Sequence, residues 1–408
     1  MPVTERELNG LAFEESSDLT IGIEEEIQIL DPHTLALVNR YEDLVTYAPP
    51  ELKESLMGEL IASEIEIATR KCSTLHEAAE DLSRKRRQLS QLALERGVWL
   101  ACTGTHPFSP WQAQRIIDTP HYRRIERELG YAAWRNNTFS FHVHVGVQGR
   151  DRAVKTADAF HPFLPTLLAL SASSPFLEGL ATRLHSTRTQ LFTKNFPRCG
   201  IPDVFGSWET YRRYLEFLFE TNSIQGINQI WWAVRPHAKL GTVEVRICDG
   251  QPRVKDAIAI SALIVSLVGR VLEALDGGES LPTYPHRFLE ENCWRATKYG
   301  LTGMLIDLAT RKELPAIEAV KKLMDWCGSV AGRLGLEDQF HRLREILLEG
   351  NSAMRQLSLY QEGLSLPEIQ RKSAADTMEL RQFEPWKQVP PELPATDVIH
   401  SWGFVNDR

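Results

Sequence analysis

The chain has 408 residues, 43% of them hydrophobic and 25% charged, an ordinary globular composition with enough apolar material for one large domain or two average ones. Its formal net charge of −8 argues against a broad surface for nucleic acid or acidic membrane, so an anionic substrate would have to be held by local arginines or by metal ions. Six scattered cysteines, Cys72, Cys102, Cys199, Cys248, Cys293 and Cys327, form no CxxC pair, which predicts reduced thiols and a cytoplasmic setting. The opening MPVTERELNG has no apolar leader core, and the longest apolar run, Ala257 to Val268, is too short to span a bilayer and reads as a buried helix.

In chain order, TIGIEEEIQIL (20–30), SEIEIAT (63–69), VWLACTGT (98–105), SFHVHVGV (140–147) and GTVEVRIC (241–248) alternate with period two and read as strands. Between them lie helices. The clearest runs from Thr74 to about Arg96, with Thr74 and Glu77 at capping-box spacing and Gly97 beyond its end. Others are expected over 152–172, 207–221, 254–275, 315–333 and 336–349, while NFPRCGIPD and DGGESLPTYP are loops. No repeat and no low-complexity linker divides the chain. One α+β domain over 1–408 follows, with 308–408 as its mainly helical end.

The strands share a design. Ile21, Ile23, Ile27 and Ile29 face one side and Glu24, Glu26 and Gln28 the other, with Glu25 misplaced among the isoleucines. Ile65 and Ile67 oppose Glu64 and Glu66, and Phe141, Val143, Val145 and Val147 oppose His142 and His144. Val243, Val245 and Ile247 likewise oppose Thr242, Glu244, Arg246 and Cys248. A solvated face would mix in Lys, Thr and Ser; here Glu and His dominate. Carboxylates crowded on one sheet repel each other and take up protons unless cations supply the missing charge. Oxygen donors with an occasional imidazole suit Mg²⁺ or Mn²⁺, whereas a structural zinc site would want thiolates.

Three further features are weaker. GTHPF (104–108) puts Thr105 and His106 at a strand end, where loop residues often line sites, although a turn fixed by Pro107 accounts for it equally well. Trp231 and Trp232 could stack an adenine, but paired aromatics are more often core. The basic run SRKRRQ (83–88) reads as the solvated face of the long helix.

Taken together, TIGIEEEIQIL, ELIASEIEIAT, GTHPF, FHVHVGV, SPFLEGLATRLHSTR (174–188), WWAVRPHAKLGTVEVRICD (231–249) and ENCWRATKYGL from Glu291 resemble the bacterial carboxylate-amine ligases, or glutamate-cysteine ligases of type 2. Their fold belongs with glutamine synthetase. The resemblance implies a curved, mainly antiparallel sheet with the active site on its concave face, helices packed behind it and a helical C-terminal third. It also implies ATP-dependent joining of a carboxylate, glutamate being favoured, to an amine through an acyl phosphate, with Mg²⁺ or Mn²⁺. By the same resemblance Glu26, Glu59 and Glu66 hold one ion, with Glu64 able to share the role of Glu59. Glu24, His142 and Glu244 hold the ion that bridges the ATP phosphates. Arg246 contacts the transferred phosphoryl group or the substrate carboxylate, His144 contacts phosphate, and Arg188 and Arg235 are further anion contacts that could grip the α-carboxylate of glutamate.

One departure concerns Ala233, where the family pattern often has Asp; it leaves the phosphoryl machinery intact and puts the accepting amine in question. The chain has no Walker A sequence, as expected where a carboxylate-lined sheet holds nucleotide through metals. The expected partners are small molecules, with neither nucleic acid nor membrane, and a homo-oligomer such as a dimer. Two competing readings are a metal-dependent hydrolase built on His142 and His144, and a metabolite-binding protein without turnover.

Overall fold

The computed structural model describes residues 13–380, so the opening decapeptide and residues 381–408 of the predicted helical end lie outside the described residues. Seven strands form one antiparallel sheet: β1 (Ile21–Leu30), β2 (Leu56–Met57), β3 (Glu64–Ala68), β4 (Trp99–Ala101), β5 (Ser140–Gly146), β6 (Val234–His237) and β7 (Thr242–Asp249). Their spatial order is β6-β7-β5-β1-β3-β2, with β5 and β4 sharing one edge of β1. All five predicted strands are present; VWLACTGT contributes only Trp99–Ala101, because the chain then turns into the loop that carries GTHPF.

The apolar face packs as foreseen. Ile21, Ile23, Ile27 and Ile29, with Ile65, Ile67, Val143 and Val145, are fully buried in one continuous core. Helices α1 (Leu75–Glu95), α2 (Arg150–Phe160), α3 (Leu164–Ser171) and α5 (Val254–Asp276) supply its other wall, while α4 (Thr187–Asn195) flanks the polar face. At the start of α1 the Thr74 hydroxyl accepts from the Glu77 amide at 3.2 Å, and the Glu77 carboxylate accepts from the Ser73 amide at 2.9 Å. The run Ala257–Val268 is the centre of α5, a helix of 23 residues. It is therefore long enough to cross a membrane, contrary to the length argument, but it is mostly buried inside the core.

The basic run on α1 is a correction. Lys85 and Arg86 point inward and are buried. Arg86 grips Glu25 bidentately, at 2.6 and 2.8 Å, and donates to the carbonyls of Gln251 and Pro252. Glu25, the misfit among the isoleucines, thus has its counter-charge on the helix packed against it.

A bulge in β7 is the second correction. Val245 pairs with Val143 and Cys248 with Phe141, so three steps on β7 match two on β5 and Arg246–Ile247 contains one residue too many. The bulge returns Cys248 to the apolar face, where it is buried. Beyond the sheet, the helix expected over 152–172 is interrupted at His161–Phe163, and that over 315–333 divides into Ala316–Trp326 and Gly328–Arg333. Helix α6 (His286–Tyr299) and helix α7 (Leu366–Thr377) complete the elements that bear on the site.

Candidate active site

Strand register assembles the polar face in rows. Arg235 stands opposite Glu244, and Glu244 opposite His144. The next row pairs His142 with Glu24, and the one after pairs Glu26 with Glu66. Over these rows lies a cavity of about 590 Å³. Of the candidate catalytic, substrate-binding, metal-binding and supporting residues, all but Glu64, Thr105 and His106 line it.

The carboxylates and imidazoles fall into three overlapping groups, each with ligand atoms within 4.8 Å of one another. Glu26, Glu59 and Glu66 form the group expected. The second expected set, Glu24 with His142 and Glu244, is regrouped: His144 joins Glu24 and Glu244, and His142 joins Glu24 and Glu66. Register explains this, because His144 and not His142 is the cross-strand partner of Glu244. His144 Nε2 lies 3.2 Å from Glu24 and 3.8 Å from Glu244, while Nδ1 contacts the Thr242 hydroxyl at 3.1 Å. His142 is oriented by Ser140 at 2.7 Å and by Glu24 at 3.2 Å. Glu59 reaches the group from the turn after β2, where Tyr122 donates to the Gly58 carbonyl. A Cβ on Gly58 would lie 2.8 Å from the end of the Tyr41 ring, so a larger residue there would have to displace that side chain.

Electrostatics divides the face in two. Burial pushes Glu59 up to about 8, helped by the charge of Glu26, and raises Glu66 well above the carboxylate range, helped by Glu24 and Glu59. Glu64 is raised in the same way by burial and then by Glu26. At the other end burial opposes ionisation of Glu244 and Glu24 but is outweighed: Arg235 and Arg246 hold Glu244 well below the usual range, and His144 and His142 do so for Glu24. One half of the site lacks positive charge and the other has it built in.

Arg188 and Arg235 are not free anion contacts, and Arg246 is engaged through only part of its guanidinium. Arg235 Nε donates to Glu244 at 2.6 Å, and its Nη1 donates to the Ile230 carbonyl. Arg246 Nη1 donates to the same Glu244 carboxylate, while its Nε is buried without a partner. Arg188 reaches the carbonyls of Arg246 and Ile247, both at 3.2 Å, so it braces the bulge. Behind it, buried Asp249 sits 3.5 Å away and accepts from the Ser173 amide and from the hydroxyls of Ser174 and Ser186.

Three candidates are placed elsewhere. Glu64 lies opposite Gln28, away from the cavity, where Gln28 is bonded to Thr103 and to Gln370 on α7. Thr105 donates to the Phe176 carbonyl, and His106 bridges the Leu35 carbonyl and the Ser109 amide, so both pin the GTHPF turn. The tryptophans divide: Trp231 lines the cavity and Trp232 is buried in a separate aromatic core with Trp208 and Tyr211.

Sequence reasoning gave no role to Ser140, Thr242, His237 and Asp249, although it placed Thr242 on the polar face. The first two orient the imidazoles, and His237 packs edge-on against His144 with centroids 5.4 Å apart. Ser140 precedes His142, Thr242 precedes Glu244 and His237 follows Arg235, each by two residues on the same strand face, so the period-two rule could have found them.

The model of glutamate-cysteine ligase family 2 matches residues 20–378. A relative from Solibacter usitatus, provisionally named glutamate-cysteine ligase 2, is 37% identical over 352 residues, covering 86% of this chain and 91% of that protein. A similarly named protein from Herpetosiphon aurantiacus is 37% identical over 360 residues, covering 88% and 93%. Among solved structures, the glutamate-cysteine ligase of Francisella tularensis in complex with AMP superposes with a TM-score of 0.66 at 14% identity over 91% of both chains. The bifunctional glutathione synthetase of Pasteurella multocida gives 0.61 at 16% identity, covering 89% of this chain and 53% of that one. The fold is therefore of the glutamate-cysteine ligase type, and the chain belongs to glutamate-cysteine ligase family 2, ligases that use ATP to join a carboxylate to an amine.

Proposed function

We propose that the protein forms an amide between glutamate, or a carboxylate like it, and a primary amine, by way of an acyl phosphate. The observation that carries this reading is the polar face itself, with three overlapping donor groups beside Arg246 on adjacent strands. Amide formation in water is uphill, so the carboxylate has to be activated first. Its oxygen takes the γ-phosphoryl group of ATP, ADP leaves, and the amine then attacks the carbonyl carbon and expels phosphate. Such transfers depend on positioning and on neutralising charge.

The residues fit divalent ions. Glu59 and Glu66 are pushed toward protonation by burial and by the charges of Glu24 and Glu26, which is the condition bound cations relieve. Mg²⁺ or Mn²⁺ would be held by Glu26, Glu59 and Glu66, and by Glu24 with His144 and Glu244; when bound, it supplies positive charge against the ATP phosphates. The chain's own contribution is Arg246. Its partnerless Nε is a buried donor beside the acidic groups, available to charge that develops on the transferred group. Arg235 and Glu244 hold its orientation from one side, and Arg188 braces its backbone from the other.

The hydrolase reading fits less well, because His142 and His144 fall in different donor groups, whereas a hydrolytic HxH motif places both imidazoles on one ion. ADP release measured across panels of carboxylates and amines tests the proposal. The expected result is release that requires one acid and one amine together; product formed without ATP would select the hydrolase, and no ADP with any pair would select a binding protein.

A further inference from the structure

Behind the wall of the main cavity lies a second chamber of about 350 Å³, formed between α4, Cys199–Ile201 and α6. A constricted pocket of about 20 Å³, the neck, lies in the wall between the two. Arg188, Phe192, Trp231 and Arg246 border both the neck and the main cavity, and Thr193, Cys199 and Ile247 border both the neck and the chamber. The bulge lies in this wall, with Arg246 on the main-cavity side and Ile247 on the chamber side. Ala233 adds only a methyl group to the neck wall.

Resting on the ligase reading above, we propose that this chamber and neck are the acceptor site, and that the acceptor is a primary amine of the form R–CH₂–NH₂ with an uncharged, largely apolar R. The neck carries two guanidiniums and no carboxylate. Each is paired with a buried carboxylate, Arg246 with Glu244 and Arg188 with Asp249, so the neck selects its occupant by size. Its volume is close to that of a single water, which admits a nitrogen on an unbranched carbon and obstructs the branched α-carbon of an amino acid such as cysteine.

The chamber's charges are already satisfied. Glu290 is engaged by Arg287 at 2.5 Å and His286 at 3.6 Å, with Lys194 at 3.9 Å, leaving an uncharged lining in which Ile201, Ile247, Cys293 and Trp294 supply the apolar surface and three threonines and Gln190 the polar remainder. Arg188 is taken up by two carbonyls and Asp249, so no guanidinium is spare for an acceptor carboxylate. In the reaction the amine nitrogen bonds to the acyl carbon, the carbon–oxygen bond to phosphate breaks, phosphate leaves with that electron pair, and the proton lost by nitrogen goes to it.

The test begins with hydroxylamine, small enough to reach the acyl group without the chamber. Wild-type protein with ATP and Mg²⁺ is screened for hydroxamate over a panel of carboxylates, and the productive acid is then offered with butylamine, phenethylamine and cysteine. The expected result is kcat/KM for the unbranched amines at least about tenfold above that for cysteine, the scale of a steric clash in a fitted pocket. Thr193→Trp, which obstructs the neck, lowers use of phenethylamine at least about tenfold relative to hydroxylamine, and Ala233→Leu does the same from the opposite wall. Absence of hydroxamate with every acid overturns the ligase reading itself. Hydroxamate formation together with a preference for cysteine, or with both variants affecting all acceptors equally, leaves that reading standing and overturns the acceptor site.

Discussion

Glu244 is held by two guanidiniums, and this redundancy separates a catalytic from a structural role for Arg246. Removing Arg246 leaves Glu244 paired with Arg235 at 2.6 Å, so the sheet keeps its buried carboxylate neutralised. Arg246→Ala should therefore lower kcat by on the order of 10² with little change in melting temperature. A destabilised variant with wild-type turnover in its folded fraction would assign the residue to structure alone. His106 shows the opposite case, a residue singled out by its motif whose work is in the turn. Burial lowers it to about 3, against about 6.5 when unfolded. The unfolded chain alone gains that proton below about pH 6.5, so the histidine's share of stability is complete above that value and is lost as pH falls toward 3. At pH 5 the loss amounts to ~2 kcal/mol. His106→Asn, which can still accept from Ser109, should flatten the decline of chemical-denaturation stability between pH 7.5 and 5 by about that amount; an unchanged slope would refute the assignment.

At the scale of elements, β1 is read correctly on both faces because a strand's period is two and its neighbours respect it. Glu25 breaks the pattern, and its explanation lies on α1, in Arg86, some sixty residues away by sequence. Local pattern cannot show which helix residue a strand residue meets, and for the same reason SRKRRQ read as solvated. The bulge in β7 was equally hidden: the alternation TVEVRICD is unbroken as text, and only the pairing with β5 reveals the extra residue that aims Arg246 and returns Cys248 to the core. Metal-group membership followed the same logic, since choosing between His142 and His144 requires the register of β5 against β7. The Glu25–Arg86 pair makes a sharp test. Arg86→Met alone leaves a buried carboxylate uncompensated and should cost about 3–5 kcal/mol in denaturant unfolding, whereas adding Glu25→Leu should recover most of it. A single variant as stable as wild type would mean that the pair is not buried in solution.

For the whole molecule, the architecture couples an apolar face that holds the fold to a polar face that the fold alone does not favour. Burial and neighbouring carboxylates raise Glu59, Glu64 and Glu66 together, so this half of the sheet stores repulsion in the protein without metal. Glu66→Gln removes one member of that cluster and should raise the melting temperature in chelator while abolishing the further rise that Mg²⁺ with ATP gives wild type. Loss of stability in chelator, with the Mg²⁺ response intact, would place the ions elsewhere. The central claim, that the site activates a carboxylate with ATP, is tested most directly by following oxygen. With the productive acid carrying heavy oxygen in its carboxylate, the account predicts one labelled oxygen in each phosphate released during amide formation, because the carboxylate oxygen that takes the phosphoryl group departs with it. Phosphate free of label, with amide formed and ATP consumed, would contradict it.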